Sequence, residues 1–231
     1  MVPRDRVARP RYDMGKVMAE EKLLPKPTRE RLIKLLTVLD QLERESLKMS
    51  SPRQNVTSAI IEHRTGWSRD TVRRDISLLG VQCGSSNGYN IVELKKAIQQ
   101  KFNIGANIHN CCIVGLGRLG SALLYFEGFK DTPFVMKAGF DSNVNRTEVL
   151  DSPFPLYPLS KMESVVKNDK IDFAILAVPE SDAVETAERL VKCGIKGIVN
   201  YTMAILNLPP YIRVENISIV DALQRVSVHI G

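Results

Sequence analysis

The chain has 231 residues, of which 44% are hydrophobic and 25% charged, values typical of a globular protein with one large or two small domains. No apolar run reaches the roughly 18 residues that a membrane-spanning helix needs, and no apolar signal segment begins the sequence. The four cysteines lack the spacing of a metal site or of a disulfide framework. We therefore expect a cytoplasmic protein with no membrane segment and no bound metal.

The charge is divided unevenly between two halves. Residues 1–104 carry 20 Lys and Arg against 12 Asp and Glu, a net charge of +8, whereas residues 105–231 carry 12 against 14, a net charge of −2. A basic half is typical of a domain that binds a polyanion such as nucleic acid. A generally basic surface without such a partner is the alternative.

In the first half, residues 1–24 lack apolar periodicity and are expected to form an N-terminal arm. Leucines at helical spacing predict an amphipathic helix over 28–48. Two short helices follow, of which the second begins after Ser68, a favourable N-cap residue. The dipeptide Asn87-Gly88 predicts a hairpin, and a further helix over 93–102 completes this half.

The two short helices resemble a helix-turn-helix, in which the second helix enters the DNA major groove. On that second helix Val72, Ile76 and Leu79 form one apolar face. The other faces carry the polar side chains Arg69, Thr71, Arg73 and Arg74. Arginine side chains are suited to bind guanine edges and phosphates. The hairpin that follows would act as a wing near the minor groove. A helical hairpin with no role in DNA binding is the alternative.

The second half alternates apolar runs with amphipathic segments, which predicts a parallel sheet with helices on its faces. The predicted strands cover residues 110–117, 134–141, 171–179 and 195–202. The predicted helices cover residues 118–127, 158–168, 181–194 and 218–230.

Three glycines follow the first of these strands in the spacing Gly-x-Gly-x-x-Gly. In this setting Gly115 allows a tight turn, Gly117 lets the backbone approach a pyrophosphate, and Gly120 lets the helix pack closely on the strand. The second strand ends at Asp141, about 20 residues further on, where a carboxylate can bind a ribose 2′-hydroxyl. This favours NAD(H) over NADP(H), although Arg146 nearby would suit a 2′-phosphate. A nucleotide fold that has lost its ligand is the alternative.

An NAD(H)-dependent reductase with a basic accessory domain is a second functional hypothesis. Such an enzyme needs a proton donor near its substrate. The three histidines, His63, His109 and His229, are not placed to supply one, since they lie in the basic half, before the first strand of the sheet and near the end of the chain. The sequence therefore favours a protein that is not an enzyme. A DNA-binding protein whose nucleotide fold is purely structural is a third hypothesis.

The two halves together resemble the Rex family of redox-sensing transcriptional repressors. The resemblance extends from about Pro25 to Ile230 and rests on the order and spacing of several segments: TVRRDISLLG, NGYNIVELKKAI, IVGLGRLGSAL, GFD, YPLSKMESVV, AVPESDAVETAERLV, CGIKGIVNYT and RVENIS.

This resemblance implies an α/β fold class, with an N-terminal winged helix-turn-helix domain joined to a C-terminal Rossmann domain. It implies an arm over 1–24, a DNA-binding domain over 25–104, an NAD(H)-binding domain over 105–217 and a C-terminal swapped helix over 218–231. It further implies a homodimer that binds a palindromic double-stranded DNA operator and senses the ratio of NADH to NAD⁺.

The resemblance also implies the site residues by position. Those expected to bind NAD(H) are Gly115, Gly117, Arg118, Leu119, Gly120, Asp141, Val178, Pro179, Asn200 and Tyr201. Those expected to bind DNA are Ser68, Arg69, Thr71, Arg73 and Arg74 on the recognition helix, and Ser85, Ser86 and Asn87 on the wing.

The chain departs from the family pattern at the residues that couple the nicotinamide state to the angle between subunits. That pattern has Asp, Arg and Tyr where this chain has Ser218, Thr37 and Phe126, with Tyr125 adjacent to the last. Ile219 stands where the family has a Phe that enters the partner's nicotinamide pocket. The wing lacks the usual basic residue. We therefore expect a weakened or altered response to NADH.

Overall fold

A computed structural model describes residues 24–48, 54–80, 84–85 and 87–228. The chain divides into two compact units, residues 1–104 and residues 105–231. The predicted arm lies outside the described residues except for Leu24, whose side chain is buried in the core of the first unit.

The first unit combines four helices with a small antiparallel sheet among its described residues. Its elements in chain order are α1 (Lys26–Leu47), β1 (Asn55–Val56), α2 (Ser58–Thr65), α3 (Arg69–Ser77), β2 (Gly84–Ser85), β3 (Gly88–Asn90) and α4 (Ile91–Phe102). The strands are hydrogen-bonded in the order β1-β3-β2. The predicted helices and the hairpin are therefore present, and together they have the order of a winged helix-turn-helix.

Local sequence explains where three of these helices begin. The Thr57, Ser68 and Asn90 side chains each accept a hydrogen bond from a backbone N–H of the first turn that follows. The predicted N-cap role of Ser68 is confirmed. The predicted apolar face of α3 is also buried, at Val72, Ile76 and the following Leu79. It packs in one core with the leucines of α1.

The second unit is built on a six-stranded parallel sheet. Its strands are β4 (His109–Val114), β5 (Phe134–Asp141), β6 (Leu156–Pro158), β7 (Ile171–Leu176), β8 (Gly197–Asn200) and β9 (Arg213–Asn216). Its helices are α5 (Arg118–Ala122), α6 (Val144–Val149), α7 (Met162–Asn168), α8 (Glu180–Cys193) and α9 (Ile219–Ser227). The strand order β6-β5-β4-β7-β8-β9 is that of a Rossmann fold, as predicted.

The helix predicted over 118–127 is shorter than expected, since α5 ends at Ala122. Beyond it the backbone bonds tighten to the i to i+3 spacing, with the Phe126 N–H donating to the Leu123 carbonyl. Sequence reasoning also missed α6, β6 and β9. Pro158 ends the short edge strand β6, and edge strands tolerate proline.

The last helix is predicted over 218–230, and α9 is observed over Ile219–Ser227, with residues 229–231 outside the described part of the chain. Ser218 is its N-cap, and the Ser218 hydroxyl accepts a hydrogen bond from the Asp221 N–H. None of the described side chains of α9 is buried.

Candidate nucleotide cleft and DNA-binding surface

A cleft lies where the order of the parallel strands changes direction, between the carboxyl ends of β4 and β7. In sheets of this topology ligands bind at that switch point. The cleft has a volume of about 270 Å³. Its lining is formed by Val114, Gly115, Gly117, Phe140, Asp141, Ser142, Arg146, Leu159, Ala177, Val178, Pro179, Asp182 and Thr186.

The three glycines of the loop after β4 have different surroundings. Gly115 has a φ of +95°, and a Cβ there would lie 2.5 Å from the Ala177 carbonyl oxygen. A Cβ on Gly120 would lie 1.8 Å from the Gly115 carbonyl oxygen. Gly117 differs from both, because a Cβ there would meet no atom within 4 Å. The first and third glycines are therefore required by the packing of the loop, whereas the second borders open space in the cleft.

Asp141 ends β5 with its carboxylate directed at the glycine loop. The Leu116 N–H donates to Oδ2 at 2.7 Å and the Asn143 N–H donates to Oδ1 at 2.7 Å. The Arg146 guanidinium lies 3.4 Å from Oδ2, and the Asp141 side chain is only 3% exposed. The Asp141 carboxylate therefore fixes the loop as well as bordering the cleft. The Arg146 guanidinium compensates part of the negative charge of this carboxylate.

The other residues predicted to bind the nucleotide are placed differently. Val178 and Pro179 line the cleft, while Arg118 and Leu119 are exposed in the first turn of α5. Asn200 is fully buried, and its amide group bonds Thr202, Ala204 and Asn216. Neither Asn200 nor Tyr201 borders the cleft. A contact of these two residues with a nucleotide stays a prediction.

Sequence reasoning missed seven residues that line the cleft: Val114, Phe140, Ser142, Leu159, Ala177, Asp182 and Thr186. Asp182 and Thr186 lie four residues apart on α8, so that they share one face of the helix. In the sequence they look like an ordinary first-turn acid and a helix interior position. Only the packing of α8 against the sheet identifies this face as part of the cleft.

Helix α3, the predicted recognition helix, presents different residues to the core and to solvent. Its buried positions are Val72, Asp75 and Ile76. Asp75 is held from α1, where the Arg31 Nε and Nη2 atoms donate to the two carboxylate oxygens at 2.6 and 2.9 Å. The Thr28 hydroxyl donates to Oδ1 at 3.0 Å. The hydrogen bond with Asp75 raises the pKa of Arg31. This network fixes α3 against α1.

The residues predicted to contact DNA lie on the remaining sides of α3 and on the hairpin. Arg69 donates to Glu62 at 2.7 Å, and Arg73 lies 3.3 Å from Asp70. No ion pair with Arg74 is found among the described residues. On the hairpin, Asn87 is exposed at the turn between β2 and β3, while Ser86 lies outside the described residues.

The residues at which the chain departs from the family pattern have local partners or are exposed. The Tyr125 hydroxyl donates to Asp151 at 2.6 Å, and this bond raises the pKa of Tyr125. Phe126 is half exposed and packs edge-on against Phe129. Thr37 is exposed on α1. Each of these side chains is therefore bonded or packed within its own unit, or exposed.

The described cysteines are buried in the second unit. Burial raises the pKa of Cys111 to about 12, and it raises the pKa values of Cys112 and Cys193 as well. Within the described ranges, no group of three His, Cys, Asp or Glu side chains could hold a metal ion. No described helix is long and apolar enough to cross a membrane.

Comparison with known sequences identifies relatives over most of the chain. A family described as CoA binding domain matches residues 106–204. The redox-sensing transcriptional repressor Rex of Exiguobacterium sp. is 34% identical over 175 residues, which is 76% of this chain and 80% of that protein. The Rex repressor of Carboxydothermus hydrogenoformans is 30% identical over 90% of this chain and 96% of its own length.

Comparison with solved structures gives the same relationship. The crystal structure of RSP, a Rex-family repressor, has a TM-score of 0.77 and 26% identity, and it covers 90% of this chain and 93% of RSP. RSP has also been solved in complex with β-NAD⁺ and operator DNA, with a TM-score of 0.77 and 26% identity over 90% of this chain and 92% of that one.

Proposed function

The chain belongs to the Rex family of redox-sensing transcriptional repressors, and from this premise we propose that it represses transcription by binding operator DNA and is regulated by NAD(H). The recognition helix α3 and the β2–β3 hairpin bind the DNA, and the cleft at the switch point binds the dinucleotide. Support comes from RSP, which has been solved with β-NAD⁺ and operator DNA and also with β-NADH.

The observation that carries the nucleotide part of this proposal is the contrast among the loop glycines. Gly115 and Gly120 shape the loop, and the open space at Gly117 leaves room for a pyrophosphate against the backbone. Asp141, Arg146, Val178 and Pro179 all line the cleft. In this proposal Asp141 binds the adenosine ribose beside Arg146, and Val178 and Pro179 contact the nicotinamide. The dinucleotide supplies the redox information, whereas the protein supplies only its binding and orientation.

A homodimer is part of the proposal, because the described residues of the second unit leave an apolar stripe on α9 exposed. Ile219, Leu223 and Val226 recur at helical spacing and are 72%, 63% and 57% exposed. The second copy of the chain would cover this stripe through exchange of residues 218–231. Residues 25–104 then form the DNA-binding domain, whose core also includes Leu24, and residues 105–217 form the NAD(H)-binding domain. Two α3 helices related by a two-fold axis would read a palindromic operator.

The response to NADH is proposed to be weakened or altered. A polar link between subunits needs groups that are free to form it. Here Ser218 caps its own helix, Tyr125 is bonded to Asp151, and Phe126 and Thr37 cannot form a salt bridge. A nucleotide shifts the balance between two dimer states only by its difference in affinity for them. Loss of this link reduces that difference.

The test is fluorescence anisotropy of the full chain on a duplex selected from random DNA, at fixed salt because phosphate contacts depend steeply on ionic strength. NADH and NAD⁺ are then titrated in. We expect tight, sequence-specific binding, with NADH releasing the DNA less completely than a full redox switch would. Complete release by NADH alone would contradict the weakened response, and failure to select any duplex would contradict the repressor function.

The Gly117→Asp variant tests the part of the proposal that concerns nucleotide binding. It places a side chain and a negative charge in the open space of the cleft, so we expect lost nucleotide binding with a retained fold. Wild-type protein at about 100 times Kd should gain about 2.7 kcal/mol of unfolding free energy from the ligand, and the variant should gain none. A wild-type protein that NADH does not stabilise would indicate a purely structural Rossmann domain.

A further inference from the structure

The solvent-facing side of α3 carries a carboxylate among its arginines. Asp70, Arg73, Arg74 and Ser77 recur at the i, i+3, i+4 and i+7 spacing that defines one face of a helix. The buried residues Val72, Asp75 and Ile76 occupy the opposite side. The Asp70 side chain is 92% exposed and lies in the first turn of the helix. In a helix-turn-helix, the N-terminal residues of the second helix are the ones that contact base edges.

A carboxylate in this position cannot bind the phosphate backbone of DNA. An ionised Asp is only an acceptor of hydrogen bonds, and phosphate oxygens are acceptors that also carry negative charge. The donors that the major groove offers are the amino groups of cytosine and adenine. Among these, cytosine N4 is the usual partner of an Asp or Glu side chain. The chemistry of Asp70 therefore suits a base edge.

Asp70 is also paired with an arginine of the same face. The Arg73 Nη1 atom lies 3.3 Å from Asp70 Oδ1. This contact uses only part of the Arg73 guanidinium, which has five N–H donors. Arginine binds the O6 and N7 atoms of guanine through two such donors. A G·C pair presents two acceptors on guanine and then one donor on cytosine across the major groove. The Arg73 and Asp70 side chains present two donors and an acceptor side by side.

We propose that Asp70 and Arg73 read one G·C base pair in each half-site of the operator, with Arg73 on the guanine and Asp70 on the cytosine. This inference rests on the proposed DNA-binding function and adds the specificity determinant. The neighbouring arginines have other roles. Arg69 is tied to Glu62 on α2, and Arg74 bonds phosphate, so that both contribute affinity without sequence preference.

The experiment begins by selecting duplexes from random DNA with the full wild-type chain. Its affinity is then measured for the consensus duplex and for every single base-pair change in one half-site. The same panel is measured for Asp70→Ala, Arg73→Ala and the double variant. Arg74→Ala, on the same face, is the control. Far-ultraviolet circular dichroism melting checks that each variant is folded.

We expect the wild-type consensus to contain one G·C pair per half-site at which both single variants lose about tenfold or more of the discrimination. The double variant should lose little more at that pair, because both side chains act on it. Arg74→Ala should weaken binding to every duplex and leave the preference profile unchanged.

Three results would overturn the inference while leaving the repressor function intact. The first is a consensus with no G·C pair that is sensitive to Asp70. The second is tighter binding of Asp70→Ala to all duplexes with an unchanged profile, which would show that Asp70 only repels phosphates. The third is a loss of preference at different base pairs in the two single variants. A wild-type chain that selects no sequence overturns the proposed function itself, and the inference with it.

Discussion

The candidate sites of the two units differ in the chemical groups that form them. In the second unit the site is mainly backbone, since Gly115 and Gly120 bring the loop against neighbouring main-chain atoms and Asp141 bonds the loop through the Leu116 N–H. In the first unit the site consists of side chains that project from α3, whose opposite face makes the core. Binding and folding therefore depend on the same atoms in one unit and on separate atoms in the other.

The largest effect is expected from adding one methyl group to the glycine loop. Gly120→Ala places a Cβ 1.8 Å from the Gly115 carbonyl oxygen, which only a backbone shift can relieve. We expect the second unit to lose more than about 3 kcal/mol of unfolding free energy. Gly117→Ala, the matched control with open space around it, should cost less than about 1 kcal/mol. Thermal unfolding followed by circular dichroism measures both, and similar costs would refute the distinction between these glycines.

A smaller effect is expected from the network that fixes α3. Arg31→Ala leaves the buried Asp75 carboxylate without its bidentate partner. Such a loss costs roughly 3–5 kcal/mol of unfolding free energy when the pair is fully buried. Because the Arg31 side chain is 28% exposed, we expect about 2 kcal/mol and a melting temperature lower by on the order of 10 °C. Lys26→Ala, which removes an exposed pair with Glu30, should cost about 0.3 kcal/mol.

The same variant tests whether the core side of α3 is separable from its outer side. Below its melting temperature, Arg31→Ala should keep the wild-type order of preference among operator duplexes, since Arg73 and Arg74 are untouched. Anisotropy on the single base-pair panel measures this. A changed order of preference in the folded variant would show that the scaffold of α3 and its DNA-binding face are coupled.

The smallest effect is expected at the thiols of the sheet. A thiol with a pKa of about 12 is about one part in 10⁴ thiolate at pH about 8, and only the thiolate reacts with iodoacetamide. In a Cys83→Ser variant we expect Cys111, Cys112 and Cys193 to stay unmodified while native and to react after unfolding. Mass spectrometry counts the added groups, and rapid modification of the native protein would contradict the burial.

The sequence predicted those parts of the molecule that depend on neighbouring residues along the chain. Ser68 as an N-cap and the buried face of α3 follow from local rules, and so does the strand that ends at Asp141. The glycine loop could be predicted because its three glycines lie within six residues, although the contact that excludes a side chain at Gly115 comes from the distant Ala177.

What the sequence could not supply depends on packing between distant segments. The bond from Arg31 to Asp75 spans 44 positions, and nothing local marks the pair. Asp182 and Thr186 reach the cleft only because α8 packs on the sheet beside it. The helix after the glycine loop was predicted too long because Leu123–Phe126 continues an apolar pattern, whereas the backbone there turns.

The separation of the two faces of α3 has an evolutionary consequence. Substitutions at Asp70, Arg73, Arg74 or Ser77 touch no core residue, so selection can change the set of operators that is read without a loss of stability that must be compensated elsewhere. Gly115 and Gly120 have no such freedom, because substitutions at these two positions are removed as folding defects before any new ligand can be tested. Descendants of such a chain would diverge quickly in the genes they control and slowly in the metabolite they sense.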